Sequence, residues 1–272
     1  MDAGGVDDAL AAWARRTGER DSQLGSLGGG HHFCELQRVA ELCDGPTAWA
    51  WGLRRGALAV MVHAGSLGFG HVARSRGGTE PFLRAGPEQD AYVRAQHNAA
   101  NLAFANRLAL TAMAVGAVAH ELGSPPRWVT VGDAPHNLIW REGDIWRHRK
   151  GACPALLGKP VLIPGSMGDS SWVLAGTGAE AALASTSHAA GRVLARGRAA
   201  RTRDDQADAR LRVVTPVDPL RVRRDVRNEH ARRVREEAPR AYKPIGPVVD
   251  AVVAAGAARR VARLEPLLTV KG

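Results

Sequence analysis

The stretch Pro160-Val161-Leu162-Ile163-Pro164-Gly165-Ser166-Met167-Gly168-Asp169-Ser170-Ser171-Trp172-Val173-Leu174 decides the fold class. Its two ends, 160–163 and 171–174, are short apolar runs bounded by Gly, Pro or Asp, and both read as strands. Between them stands a loop of small residues whose backbone N–H groups and serine hydroxyl can meet an anion. The loop is not a Walker A motif, since G-x-x-x-x-G-K-[ST] is absent, and an ordinary turn explains it equally well. Residues 128–131 and 145–148 carry the same strand pattern. Upstream the period changes. From about residue 88 to 122 the apolar residues Val93, Leu102, Leu110, Met113 and Val118 are interleaved with alanines, as in one long helix, and Ser124-Pro125-Pro126 stops it. Strands and helices together imply mixed α/β (α+β) packing.

Residues 1 to about 125 begin with a short helical stretch and a glycine-rich loop, then alternate short apolar runs with polar turns before the long helix. Residues 198–237 hold many arginines with interspersed acids, and 221–237 reads as a helix with intrahelical ion pairs, either an RNA-facing surface or a salt-bridged solvated face. The apolar residues Val248, Val249, Val252, Val253, Val261, Leu264 and Leu267 predict a final helix packed on the core.

With 272 residues, 45% hydrophobic and 24% charged, the chain is no disordered tail or collagen-like repeat. Lys plus Arg total 37 against 27 Asp plus Glu, a formal charge of +10, and only four of the cations are lysines. Guanidinium groups bind phosphate through paired donors, so the excess favours nucleic acid or a nucleotide as partner, although a coding bias toward Ala, Gly and Arg produces the same numbers. Asp2, Asp7 and Asp8 in a start without an apolar core argue against a secretory signal, and the expected location is cytoplasmic. The apolar run 108–119 is too short to span a bilayer and reads as a core helix, so no membrane is expected. Three cysteines without C-x-x-C spacing argue against a disulfide framework or a zinc knuckle, and Cys43 and Cys153 read as buried small hydrophobes.

Five of ten histidines, His32, His63, His136, His148 and His188, stand beside small residues or turns. Such contexts place imidazoles at strand ends, where several could converge on one metal, although each taken alone reads as an ordinary turn residue. His188 precedes Ala189-Ala190-Gly191-Arg192, so it could present a ring nitrogen to a substrate while backbone N–H groups hold phosphate oxygens. From the residues alone, nucleophile, ligand and bystander all remain open for it.

In order along the chain, several segments resemble the RtcB family of RNA-splicing ligases. Gly28-Gly29-Gly30-His31-His32-Phe33-Cys34-Glu35 resembles the family's G-G-G-N-H-F-x-E, and His63-Ala64-Gly65-Ser66-Leu67-Gly68-Phe69-Gly70-His71 resembles H-S-G-S-R-G-L-G-H. The likeness continues through Asn101, Asn106-Arg107, His136-Asn137, His148-Arg149-Lys150-Gly151-Ala152, Pro164 to Gly168, and Ser187-His188-Ala189-Ala190-Gly191-Arg192, where the family has C-H-G-A-G-R. It ends in Glu237-Ala238-Pro239-Arg240-Ala241-Tyr242-Lys243 and Lys271-Gly272. The resemblance implies one RtcB-like domain over 1–272, lacking the family's N-terminal segment, with mixed sheets and flanking helices around a central metal and nucleotide cleft.

It further implies an enzyme that joins RNA ends with a 3′-phosphate or 2′,3′-cyclic phosphate to 5′-hydroxyl ends, as in tRNA splicing or RNA repair. GTP and two Mn²⁺ ions would serve it, and an archease-type activator could assist. His188 takes the position of the nucleophile that accepts GMP, and His32, His63 and His136 match metal-binding histidines. GTP contacts are implied for His31, His32, Phe33, Cys34, Glu35, His136, Asn137, Pro164, Gly165, Ser166, Met167, Ser171, Ala189, Ala190, Gly191 and Lys271, with Tyr242 stacking on the base. Three departures favour the alternative of an impaired paralogue or a fragment that binds GTP or RNA without ligation. The family's Asp-x-x-Cys metal-binding pair is absent from these residues, His31 stands for its Asn, and Leu67 for its Arg. An arginine's charge-assisted hydrogen bond to phosphate or RNA is worth roughly 1.5 to 3 kcal/mol, and a leucine cannot form one. A metal-activated hydrolase is a third possibility.

Overall fold

The computed structural model describes residues 23–75, 83–202, 204, 211–218 and 220–272, so the start of the chain, where a short helical stretch is expected, lies outside them. The described residues gather into two compact units, one drawn from 23–28, 62–75, 83–126 and 137–150, the other from 29–61, 127–136 and the described residues after 150. Helices and antiparallel strands are both present, as the mixed class requires.

The second unit is built on a six-stranded sheet. Its strands run β2 (Leu58–His63), β1 (Phe33–Leu42), β10 (Ala258–Val270), β7 (Ser171–Gly176) and β6 (Pro160–Ile163) in spatial order, and β9 (Val213–Val214) pairs in parallel with the end of β10. The two runs of the opening stretch are therefore adjacent antiparallel strands, with Leu162 opposite Val173. β7 is apolar on successive residues because both its faces are covered. Leu174 packs with Val161 and Ile163 against Ile245, Val249 and Val252 of a helix, while Val173 and Ala175 pack with Phe33, Val39, Val261 and Leu264. That helix is the last of six α-helices among the described residues, which in order are α1 (Gly45–Ala50), α2 (Leu67–Ser75), α3 (Pro87–Leu122), α4 (Arg196–Arg201), α5 (Arg224–Glu236) and α6 (Ile245–Ala254).

α1 starts where Asp44 accepts hydrogen bonds from the Thr47 N–H at 3.1 Å and its hydroxyl at 2.7 Å. Asp44→Ala is expected to cost about 1 kcal/mol, read as a lower Tm in thermal denaturation. An unchanged Tm would remove the cap from the stability of this unit.

Three expectations for this unit need correction. The tail is not one helix: α6 stops before Gly256, whose φ of 66° ends the helical path, and the residues beyond it form β10, the centre of the sheet. Valines spaced at three and four in 248–253 are helical, but 258–270 is set by pairing to β1 on one side and β7 on the other. Residues 128–131 form no strand. Cys43 is exposed, just past the end of β1, whereas Cys153 is buried.

The first unit centres on α3, which packs Ala95 and Ala99 against Phe69 and Ala73 of α2. A hairpin of β3 (Asn137–Glu142) and β4 (Ile145–Lys150) joins it, with His97 Nε2 3.0 Å from the Ile139 carbonyl oxygen. α3 ends in left-handed Gly123 just before the prolines, as its sequence requires. The expectation of a core helix at 108–119 does not hold, because Leu110 alone of those residues is buried while Leu108 and Met113 are exposed. By length and composition, α3 is long and apolar enough to cross a membrane.

Many of the arginines stand beside acids and form ion pairs, which leave the net charge unchanged. On the sheet, Arg38 pairs with Glu265, Arg263 with Glu41 and Glu265, Arg260 with Asp250 and Arg259 with Asp44. On α5, Glu229 takes two bonds from Arg232, at 2.7 and 2.8 Å, and one from Arg233 at 3.1 Å. These donors hold its carboxyl down to about 2, from an ordinary 4.5. A depressed acid stabilises the fold above its unfolded value and loses that effect as pH falls through the folded one. The Glu229 pairs should thus persist at neutral pH and weaken between about 4.5 and about 2. Carboxyl titration by NMR checks this, and a midpoint near the ordinary value would refute it.

Candidate active site: a histidine and a small-residue loop rising from one core

β5 (Ala152–Pro154) and β8 (Ser185–Ser187) pair antiparallel with Ala152 opposite Ser187. This register sets His188, just past β8, beside Gly151, just before β5. His188 Nδ1 lies 2.6 Å from the Gly151 carbonyl oxygen. A carbonyl only accepts, so the ring proton belongs on Nδ1, and the lone pair of the neutral imidazole is on Nε2. Gly151 has a φ of 64°, a backbone conformation that suits glycine. The Ala152 N–H donates to the His136 carbonyl at 3.3 Å, and the His136 and His188 rings lie 4.3 Å apart, centroid to centroid, tilted by 32°.

The loop after β6 rises from the same core. Ile163, which enters it, and Ala190, which follows His188, both belong to the apolar cluster that contains Cys153, Leu174, Ile245 and Val249. Three bonds shape the loop: Gly165 N–H to Ser171 Oγ at 3.3 Å, Asp169 N–H to the Ser166 carbonyl at 2.9 Å, and Ile245 N–H to Asp169 Oδ2 at 3.0 Å. The last one caps the start of α6, so the loop and the helix are fixed together. A Cβ on Gly165 would overlap the Ser170 carbonyl.

The His188 segment is held on its other side by a buried anion. Glu237, 3% exposed, accepts from Arg192 Nη1 at 3.0 Å and from the Tyr242 hydroxyl, with Arg196 Nε at 3.5 Å. Arg192 also donates to the Glu236 carbonyl at 2.6 Å, and Lys243 N–H donates to the Gly191 carbonyl at 2.9 Å. Burial and the bond to Glu237 push the Tyr242 phenol well above its ordinary pKa.

The glycine-rich turn before β1 carries the remaining groups. Lys271 Nζ donates to the carbonyls of Gly30 at 2.6 Å and His32 at 2.7 Å, tying the end of the chain to this turn. Burial lowers the Lys271 ammonium to about 8 and the His31 imidazole to about 4. His31 and His32 rings stand 4.8 Å apart, edge to face. Cys34 is buried, and desolvation with the nearby Glu35 pushes its thiol up to about 11, so it stays protonated at neutral pH.

His188, His136, Gly165, Ser166, Met167, Ser171, Ala189 to Gly191, His31 to Glu35 and Lys271 all lie in the second unit. His63 and Asn137 lie in the first, at the end of β2 and the start of β3. There Asn106 Nδ2 donates to the carbonyls of Gly65 and Ser26, both at 3.0 Å, and Arg107 to that of Ala64 at 3.1 Å, so the matched Asn-Arg pair shapes the loop after His63. His148 is exposed within β4, not at a strand end.

Among the described residues no three His, Cys, Asp or Glu side chains group closely enough to hold a metal. Imidazoles alone, without the carboxylate and thiolate that the resemblance asks for, do not make up the Mn²⁺ centre. The donor set does suit a phosphate-bearing nucleotide: a lysine, a small-residue loop and a ring nitrogen with an oriented lone pair. Sequence reasoning assigns no role to Gln37, Glu237 or Thr269. Glu237 begins the 237–243 segment that resembles the family, and Gln37 and Thr269 are detectable as polar residues on the buried rows of strands.

The sequence model described as tRNA-splicing ligase RtcB matches residues 2–76 and 82–272. The RNA-splicing ligase RtcB of Mycobacterium bovis is 37% identical over 289 residues, covering 92% of this chain and 65% of that protein. The tRNA-splicing ligases RtcB of Pyrococcus furiosus and Pyrobaculum aerophilum are 37% and 34% identical, over 99% and 92% of this chain. The chain spans 31% of the length of the former and 60% of the latter, so it corresponds to less than two thirds of each.

Proposed function

The chain belongs to the tRNA-splicing ligase RtcB family, and from that premise we propose that it carries the guanylyl-transfer half of a GTP-dependent RNA ligase, with His188 as nucleophile. The observation that carries this reading is the 2.6 Å bond from His188 Nδ1 to the Gly151 carbonyl, which fixes the ring and directs the Nε2 lone pair outward from that bond. In the proposed reaction His188 Nε2 attacks the α-phosphorus of GTP, a P–N bond forms, and the bond to the β-phosphate oxygen breaks with loss of pyrophosphate. An RNA 3′-phosphate oxygen then displaces the imidazole. Attack of a 5′-hydroxyl on the 3′-phosphorus closes the phosphodiester, loses the hydroxyl proton and releases GMP.

In this reading the 164–168 loop and Lys271 hold phosphate or base groups of GTP, and Tyr242 stacks on the base. His32, His63 and His136 would contribute imidazoles to Mn²⁺, whose site the described residues do not complete. RNA as substrate, an archease-type activator and a cytoplasmic location belong to the same proposal.

A second reading, nucleotide or RNA binding without ligation, is favoured by His31 and Leu67 at the family's Asn and Arg positions and by the absent Asp-x-x-Cys pair. One assay separates the two. Purified protein incubated with Mn²⁺ and α-labelled GTP retains acid-labile label at His188 if it is a guanylyl carrier, and binds GTP without retaining label if it is not.

A further inference from the structure

Phe33, Glu35, Gln37 and Val39 alternate onto one face of β1, and all four are buried. Phe33 and Val39 enter the apolar core, so two polar groups lie between the apolar ends of the row. Gln37 is 0% exposed. Its Nε2 donates to Glu35 Oε2 at 2.6 Å and to Ser171 Oγ at 2.9 Å, reaching from β1 to the first residue of β7. Ser171 Oγ also accepts from the Gly165 N–H, and Thr269 Oγ1 donates to Glu35 Oε1 at 2.5 Å. One buried polar chain therefore runs from Thr269 on β10 through Glu35, Gln37 and Ser171 into the small-residue loop. Gln37 Oε1 has no hydrogen-bond partner among the described residues, so the amide is oriented to serve its neighbours at a desolvation cost to itself.

We propose that Gln37 is a positioning residue: its amide, lodged between the Glu35 carboxylate and the Ser171 hydroxyl, locks the carboxylate and the 164–168 loop into one unit that selects the nucleotide. The proposal rests on the reading of Glu35 and that loop as nucleotide contacts. A carboxylate fixed at both oxygens can meet two neighbouring donors, such as the N1–H and 2-amino group of guanine. Adenine offers an acceptor at N1 and lacks the 2-amino group, so a fixed carboxylate discriminates where a mobile one adapts to either.

The test compares wild type, Gln37→Leu and Val39→Ala, the last a purely apolar truncation in the same row. Two quantities are measured: the exchange rate of the Gly165 amide proton by NMR, and the ratio of Kd values for GTP and ATP by calorimetry. Gln37→Leu is expected to speed Gly165 exchange by about tenfold or more and to lower the preference for GTP by about tenfold. Val39→Ala is expected to lower Tm while leaving both quantities unchanged. Equal Gly165 exchange in wild type and Gln37→Leu overturns the linkage, as does an equal shift in both variants. A wild-type chain that binds neither nucleotide defeats the nucleotide reading and with it the selective role, while Gly165 exchange still decides the linkage by itself.

Discussion

His188→Asn is expected to leave no covalent label from α-labelled GTP while keeping the fold. Asparagine places its amide nitrogen near where Nδ1 lies, so the bond to the Gly151 carbonyl, 2.6 Å in the wild type, can be remade. What is lost is Nε2, the atom with the oriented lone pair. Removing a nucleophile that forms a covalent intermediate lowers turnover by roughly 10³-fold or more. His188→Ala removes both atoms and leaves a carbonyl without its donor, so it confounds chemistry with local stability. Intact-mass spectrometry and label retention check the outcome alongside Tm. Label kept by His188→Asn would move the nucleophile elsewhere and end the proposed role of His188.

Glu237→Leu is expected to be the most destabilising single change at the site. The carboxylate is 3% exposed and is shared by Arg192, Arg196 and Tyr242. Replacing it strands the Arg192 guanidinium, whose side chain is 24% exposed, against a buried surface. Breaking a buried ion pair costs about 3 to 5 kcal/mol, and partial exposure of the arginine favours the lower end, about 3 kcal/mol. For a domain of this size that lowers Tm by roughly 6 to 12 °C. Glu237→Gln keeps an acceptor for the tyrosine and arginine and is expected to cost less than half as much. Differential scanning calorimetry decides the matter, and a Glu237→Leu protein that melts within about 2 °C of wild type would show that Arg192 is held by its carbonyl partners instead.

The site is legible in the sequence to an uneven degree. Pro164 to Gly168 stands out because small residues follow an apolar run, and the structure puts it directly after β6. His32, His63, His136 and His188 each stand immediately beside or at the end of a strand, as turn-flanked imidazoles should. The tail misleads because Val261, Leu264 and Leu267 fall at intervals of three, the signal of a helix, while β10 owes its identity to two partners across the sheet. The run 108–119 misleads in the opposite way, since apolar composition does not say what covers it. Gln37, Glu237 and Thr269 look like ordinary polar residues until their burial is known.

The order of the motifs, the mixed class and the place of His188 among small residues beside a strand follow from the sequence alone, because each rests on residues close together in the chain. Only the tertiary structure decides that Gln37 meets Ser171, 134 residues away, and that Arg192 meets Glu237, 45 residues away. Those pairings depend on strand register and on the exclusion of water around polar groups, and neither quantity exists until distant segments have closed over one another.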